Sequence, residues 1–219
     1  MAPTSKPLRL ALASGFALAA LTACHGKPKP DPKTPSQETF TSGMLAYLAV
    51  RGDLCLGKEF PLDVTAREVQ AGARNAVQMP VLEKLGLVSS SAAMGQVTTE
   101  DGPVAVPVTR YQLTASGRQY YLQRPSSKPE GLHGDLCVAK LRLAKVVSWQ
   151  VDPQSQGRSA VVNYTYHVTA APWTQAPEVE AVFPAVTRVV VGDGTALLQE
   201  GFTLTDKGWQ ANDIASSDS

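Results

Sequence analysis

The chain has 219 residues, 20 Lys and Arg against 19 Asp and Glu, and a formal charge of +1. So balanced a surface lays down no basic field for nucleic acid, and a chain of this length suits one compact domain or two small ones. Hydrophobic residues at 43% can build a core, while only three histidines leave little scope for acid–base or metal chemistry.

At the N-terminus, Lys6 and Arg9 precede an apolar run from Leu10 to Ala20, broken only by Ser14 and Gly15. The run is shorter than the roughly 20 residues a membrane-spanning helix needs, and it fits the apolar region of a secretory signal. It ends in Leu21-Thr22-Ala23-Cys24, where small residues lead an extended backbone up to a thiol that can carry lipid. This stretch resembles the lipobox of bacterial lipoproteins. The resemblance implies diacylglyceryl transfer to the Cys24 thiol, cleavage before Cys24 and acylation of the new amino group. His25 in place of Asp after that cysteine implies the outer membrane. Several acyl chains, at ~0.8 kcal/mol per buried methylene, make such an anchor permanent. Cleavage removes residues 1–23, with two basic residues and no acid, and leaves a net charge of about −1.

Residues 24–38 hold four prolines among lysines and no large apolar side chain, so they are expected as a flexible, extended tether. Residues 39–124 are expected as a mainly helical part. Phe40, Met44, Leu45 and Leu48 recur at helical spacing, and Gly52 offers a stop. A short strand over 54–60 follows, and Thr65 caps a helix from Ala66 whose buried face is Val69, Ala73, Ala76 and Val77. Pro80 is expected to break or kink that helix, a second short one running from Val81 to Leu85. Two short strands then flank a turn at Glu100-Asp101-Gly102.

Within this part, Leu82, Leu85, Gly86 and Leu87, then Tyr111, Leu113, Thr114, Gly117 and Arg118, resemble the winged-helix pattern of a helix end, a β wing and a closing segment. The resemblance covers about residues 65–124 and implies that fold. It departs from the family where DNA would be read, because the helix before the wing has no cluster of Arg and Lys; the fold is carried over and the activity is not.

Residues 125–213 are expected as an antiparallel β meander with a short helix. From Leu136 the period becomes two, with Cys137, Ala139, Leu141, Leu143, Val147, Trp149 and Val151 on one face. A strand over 160–169 turns Val162, Tyr164, Tyr166 and Val168 inward and Asn163, Thr165 and His167 outward. A two-turn helix is expected over 178–183, then a hairpin of 187–191 with 196–204 around Gly192-Asp193-Gly194. Trp209 seals the end, and residues 214–219 form a frayed tail. The expected class is α+β: a small winged-helix-like α/β part followed by the meander.

The string Gly-Asp-Leu-Cys occurs twice, at 52–55 and 134–137, each copy followed three residues on by a lysine, Lys58 or Lys140. Both cysteines sit at the same point of an incoming strand, and strands placed side by side would bring the sulfurs together. Outside the cytoplasm such a pair reads as one disulfide, Cys55–Cys137, closing a loop worth about 4 kcal/mol; two separate buried thiols are the alternative. The two aspartates read as turn residues.

No catalytic residue, metal ligand or cofactor stands out. His133 lacks converging partners for zinc, and His167 on the polar face of its strand is the one histidine open to a binding role. Trp173, between Pro172 and Pro177, is a candidate anchor for a partner. The functional expectation is a lipid-anchored envelope protein facing the periplasm, a non-catalytic module binding another envelope protein, without nucleic acid. A periplasmic hydrolase acting on a wall or small-molecule substrate is the alternative.

Overall fold

The computed structural model describes Met1, residues 31–125 and residues 132–216. Cys24, the lipobox and the first part of the tether lie outside the described residues.

α1 (Gln37–Arg51) starts where the Ser36 hydroxyl accepts the Thr39 N–H at 3.1 Å. Phe40, Met44 and Leu48 bury one stripe of it, while Leu45, expected with them, is exposed. The stretch before α1 is not free: Trp209 donates its backbone N–H to Pro32 O at 3.2 Å and its indole N–H to Lys33 O at 3.1 Å.

β1 (Asp53–Cys55) has three residues, shorter than expected. β2 (Leu62–Thr65), a strand the sequence pattern did not signal, leads into α2 (Ala66–Gln70), where Thr65 and Glu68 cap each other reciprocally. The chain breaks at Gly72, φ +59°, and α3 (Arg74–Lys84) then runs through Pro80. Glycine adopts a left-handed turn without steric cost, and Met79 and Leu82, fully buried on either side of the proline, hold α3 together past it. The buried face is therefore Met79 and Leu82, and Val69 and Val77 are exposed.

β3 (Val88–Thr99) and β4 (Gly102–Leu113) form a hairpin of twelve residues a side, far longer than expected. β2 pairs with the base of β4, in the sheet order β2-β4-β3. There Arg110 donates two hydrogen bonds to Asp63, at 2.7 and 2.6 Å, which holds that carboxyl below the usual range. α4 (Ala115–Arg118), capped by Thr114, returns the chain to β5 (Tyr121–Pro125).

β6 (Leu132–Asp152), β7 (Ser159–Ala170), α5 (Pro177–Val182), α6 (Pro184–Val191), β8 (Leu198–Thr205), β9 (Gly208–Ala211) and α7 (Asn212–Ala215) complete the chain. The large sheet has the antiparallel order β1-β6-β7-β8-β9, with β5 also paired to β6. Two cores result. One gathers Met79, Leu82, Leu136, Val138 and Val179; the other gathers Phe40, Met44, Val162, Tyr166, Phe202 and Trp209. The 21-residue β6 serves both, with Leu136 and Val138 in the first and Val146 in the second.

Two expectations for this half fail. The register of β6 against β7 slips between Leu143 and Lys145 and again between Val146 and Ser148, so Val146 is buried and Val147 is exposed. The hairpin expected over 187–204 is instead α6 followed by β8. Pro184 occupies the first helical turn, where its missing N–H costs nothing. Val186, Val189 and Val190 then turn inward at helical spacing. Three consecutive β-branched residues fit a strand locally, and burial of one stripe decided for helix.

The protein is α+β, as the order of elements implied. No helix among the described residues is long and apolar enough to cross a membrane.

Candidate functional site

The two Gly-Asp-Leu-Cys segments meet. β1 pairs antiparallel with β6, with Asp53 opposite Lys140, Leu54 opposite Ala139 and Cys55 opposite Cys137, and the two cysteines are joined as a disulfide. Each letter of the repeated string has a physical reason. A Cβ on Gly52 would collide with Leu48 O and lie 2.6 Å from Leu141 O, while one on Gly134 would collide with the Tyr121 hydroxyl. Leu54 and Leu136 both contribute to the first core, Leu136 with no exposure.

The aspartates cross over. The carboxylate of Asp53 accepts from the Lys140 ammonium at 3.2 Å. The carboxylate of Asp135 accepts the backbone N–H groups of Gly57 at 3.1 Å and Lys58 at 2.8 Å. Each copy's acid thus reaches the residue three positions past the other copy's cysteine, and the disulfide lies between the two contacts.

Lys58 is buried, 2% exposed, with its ammonium against the side-chain oxygen of Asn75. Burial, then the neighbouring Arg74 charge, pushes the Lys58 ammonium below the ordinary lysine range, with Asp135 opposing.

Each cysteine of the disulfide lines a groove. On the Cys137 side a groove of about 300 Å³ runs past Tyr120, Leu122, Val138, Lys140 and Pro172. On the Cys55 side a groove of about 450 Å³ runs between β1, α3 and α6. Both are in or near the size range of small-ligand sites. Among the described residues no three His, Cys, Asp or Glu side chains converge as metal ligands.

The candidates read from the sequence are not brought together. His167 is exposed, with Nδ1 3.1 Å from Asp193 Oδ1, and the same oxygen accepts the Val168 N–H at 3.0 Å. Trp173 does not stand out as an anchor. It is half-buried against the first core, its ring edge-on to Tyr120 with centroids 6.2 Å apart, and its indole N–H is buried without an acceptor among the described residues. His133 lies on β6 with Nδ1 3.5 Å from Glu59 Oε2.

What sequence reasoning missed is the cationic side of the crossing: Lys58, Arg74 and Arg188. Arg188 was hidden by the strand expected over 187–191, although Pro184 and Gly192 bracket a helix there. Also missed was an acid beneath α1. Glu200 accepts from the Tyr47 hydroxyl and is pushed above the usual carboxylate range, mainly by burial. Tyr164 close by is pushed up to about 12, again mainly by burial.

Comparison of the chain with protein-family models, with curated proteins and with solved structures finds no match to any of them.

Proposed function

We propose that the chain is a lipid-anchored cell-envelope protein, held on the periplasmic side of the outer membrane through Cys24, whose folded body is a non-catalytic binding or assembly module for another component of the envelope. The observation that carries this reading is the disulfide between Cys55 and Cys137. It engages both cysteines beyond the lipobox, and such bonds persist where thiols are oxidised. The signal-like N-terminus and the proline-rich spacer agree with it, and the grooves beside the disulfide give a binding body somewhere to bind.

Within this reading, residues 65–124 or so are a winged-helix-like unit used as a scaffold, with β2 paired alongside it. The order β2, α2, α3, β3, β4 supports the likeness. The helix before the wing, α3, is engaged by α5: Gln78 donates to Val182 O at 2.8 Å, and Lys84 pairs with Glu178. That favours a packing role over entry into a nucleic-acid groove.

The test is intact-mass analysis of the protein purified from its own cell envelope, alongside Cys24→Ser. The expected result is a chain beginning at Cys24 with added acyl mass, and an unlipidated precursor for the variant. A fat-free wild-type chain that keeps residues 1–23 overturns the proposal. Thiol alkylation under native, non-reducing conditions is expected to leave Cys55 and Cys137 unmodified.

A further inference from the structure

The groove on the Cys55 side has an uneven lining. Leu54, Leu56 and Val186 give it apolar walls, and its charged side chains are Arg74 from α3 and Arg188 from α6, with no Asp or Glu. Both arginines are exposed at the surface, and neither makes a side-chain hydrogen bond or ion pair among the described residues. Of the acids on the surrounding elements, Asp53 pairs with Lys140, Asp135 accepts the backbone of Gly57 and Lys58, Glu83 accepts the Ser90 N–H and Glu178 pairs with Lys84, while Glu180 on α5 is exposed and outside the lining. Lys58, buried beside Asn75, stands outside the lining with Asp135 as its neighbouring acid, so the charge of the groove is that of the two arginines.

Like charges gathered around one low-dielectric cleft raise its potential and draw in anions. No acidic side chain among the described residues enters this lining. A planar guanidinium matches carboxylate and phosphate oxygens two at a time.

We infer that this groove binds a small amphiphilic anion, a carboxylate or phosphate head between Arg74 and Arg188 with a hydrocarbon body along Leu54, Leu56 and Val186. The inference deepens the binding-module reading and rests on it in one respect: the occupant is held and not transformed. The shared chemistry is an oxyanion on an apolar stem.

The test is titration of the full chain, as purified, with hexanoate and with hexyl phosphate, and with hexanol as the same stem lacking the head. Saturable binding of at least one anion is expected, with hexanol roughly tenfold weaker or more. Preference between the two anions assigns the head group. Arg74→Gln and Arg188→Gln are each expected to weaken the anion by roughly tenfold while leaving hexanol unchanged. Both side chains are exposed, so the variants are expected to melt like wild type. Equal binding of hexanol and the anions, indifference to both arginine substitutions, or no saturation by either anion up to about 1 mM, the weak end of specific binding, overturns the inference. Failure here is separable from failure of the envelope reading. A processed, acylated chain that binds neither anion removes only this inference, and an unprocessed chain that binds hexanoate removes only the anchor.

Discussion

Asp53 and Lys140 face each other across the β1–β6 pair, their charged groups 3.2 Å apart, and Asp135 repeats the relation on the other side of the disulfide by accepting the backbone of Gly57 and Lys58. The repeated tetrapeptide is thus two halves of one crossing. Its halves differ in hydrogen bonding, an ion pair on one side and two backbone donors on the other, and the difference can be measured. The partly exposed Asp53–Lys140 pair should show a coupling of about 0.2–1 kcal/mol in a double-mutant cycle. Asp135→Ala, which strands two backbone donors, should cost about 1–3 kcal/mol in denaturant unfolding. Equal effects on the two sides would contradict the asymmetry.

Gly52 joins the end of α1 to the sheet. Its N–H donates to Leu48 O at 3.0 Å and its C=O accepts from Leu141 at 2.7 Å, and a side chain there would press on both backbone carbonyls. Neither carbonyl can swing aside as a side chain could. Gly52→Ala is expected to lower stability by about 1–3 kcal/mol, measured as a shift of the urea midpoint at unchanged slope.

Glu200 links stability to pH. Its carboxyl is raised above the ordinary value, mainly by burial, with Asp213 adding to the rise and the Tyr47 hydrogen bond opposing it. A raised folded-state value means that folding favours the protonated form relative to the unfolded chain. The associated stability is complete below the unfolded value of about 4.3 and is lost as pH rises through the folded one. Glu200→Gln keeps an acceptor for Tyr47 and removes the ionisation. It should melt above wild type at pH 7 and together with it at pH 3. An equal difference at both pH values would show that the carboxyl is not the cause.

The indole of Trp209 fastens the segment before α1 through Lys33 O. Trp209→Phe keeps a ring in the second core and deletes that donor, at about 1 kcal/mol. Local release should exceed the global loss, so trypsin should cut after Lys33 faster in the variant, followed by mass spectrometry of the N-terminal fragment. Unchanged cleavage there would mean that the backbone bond to Pro32 O is enough.

Much of this was legible in the sequence where one signal stood alone. Phe40, Met44 and Leu48 marked α1, Thr65 marked the start of α2, and Val162, Tyr164 and Tyr166 marked the buried face of β7, although Thr165, expected on the outer face, is buried too and Val168 only partly so. It was not legible where two patterns competed. The valines of α6 satisfy strand propensity and helical burial alike, and only tertiary packing chooses between them. A period-two count along β6 cannot register bulges, so it chose Val147 over Val146. The crossing itself was half visible. Matching cysteines announced a bridge, but the cationic groove beside it joins Arg74 and Arg188, 114 positions apart in the chain, and no local pattern links them.

The long strand β6 has its first half in one core and its second half in the other. Neither core can melt without disordering the backbone that the other rests on, so heating should give a single calorimetric peak whose van't Hoff and measured enthalpies agree. Damage at one end of the molecule, whether a cut bridge or an emptied core position, is then felt at the opposite end as a lower melting temperature. Among the described residues there are two hydrophobic centres, and they are expected to unfold in one all-or-none transition.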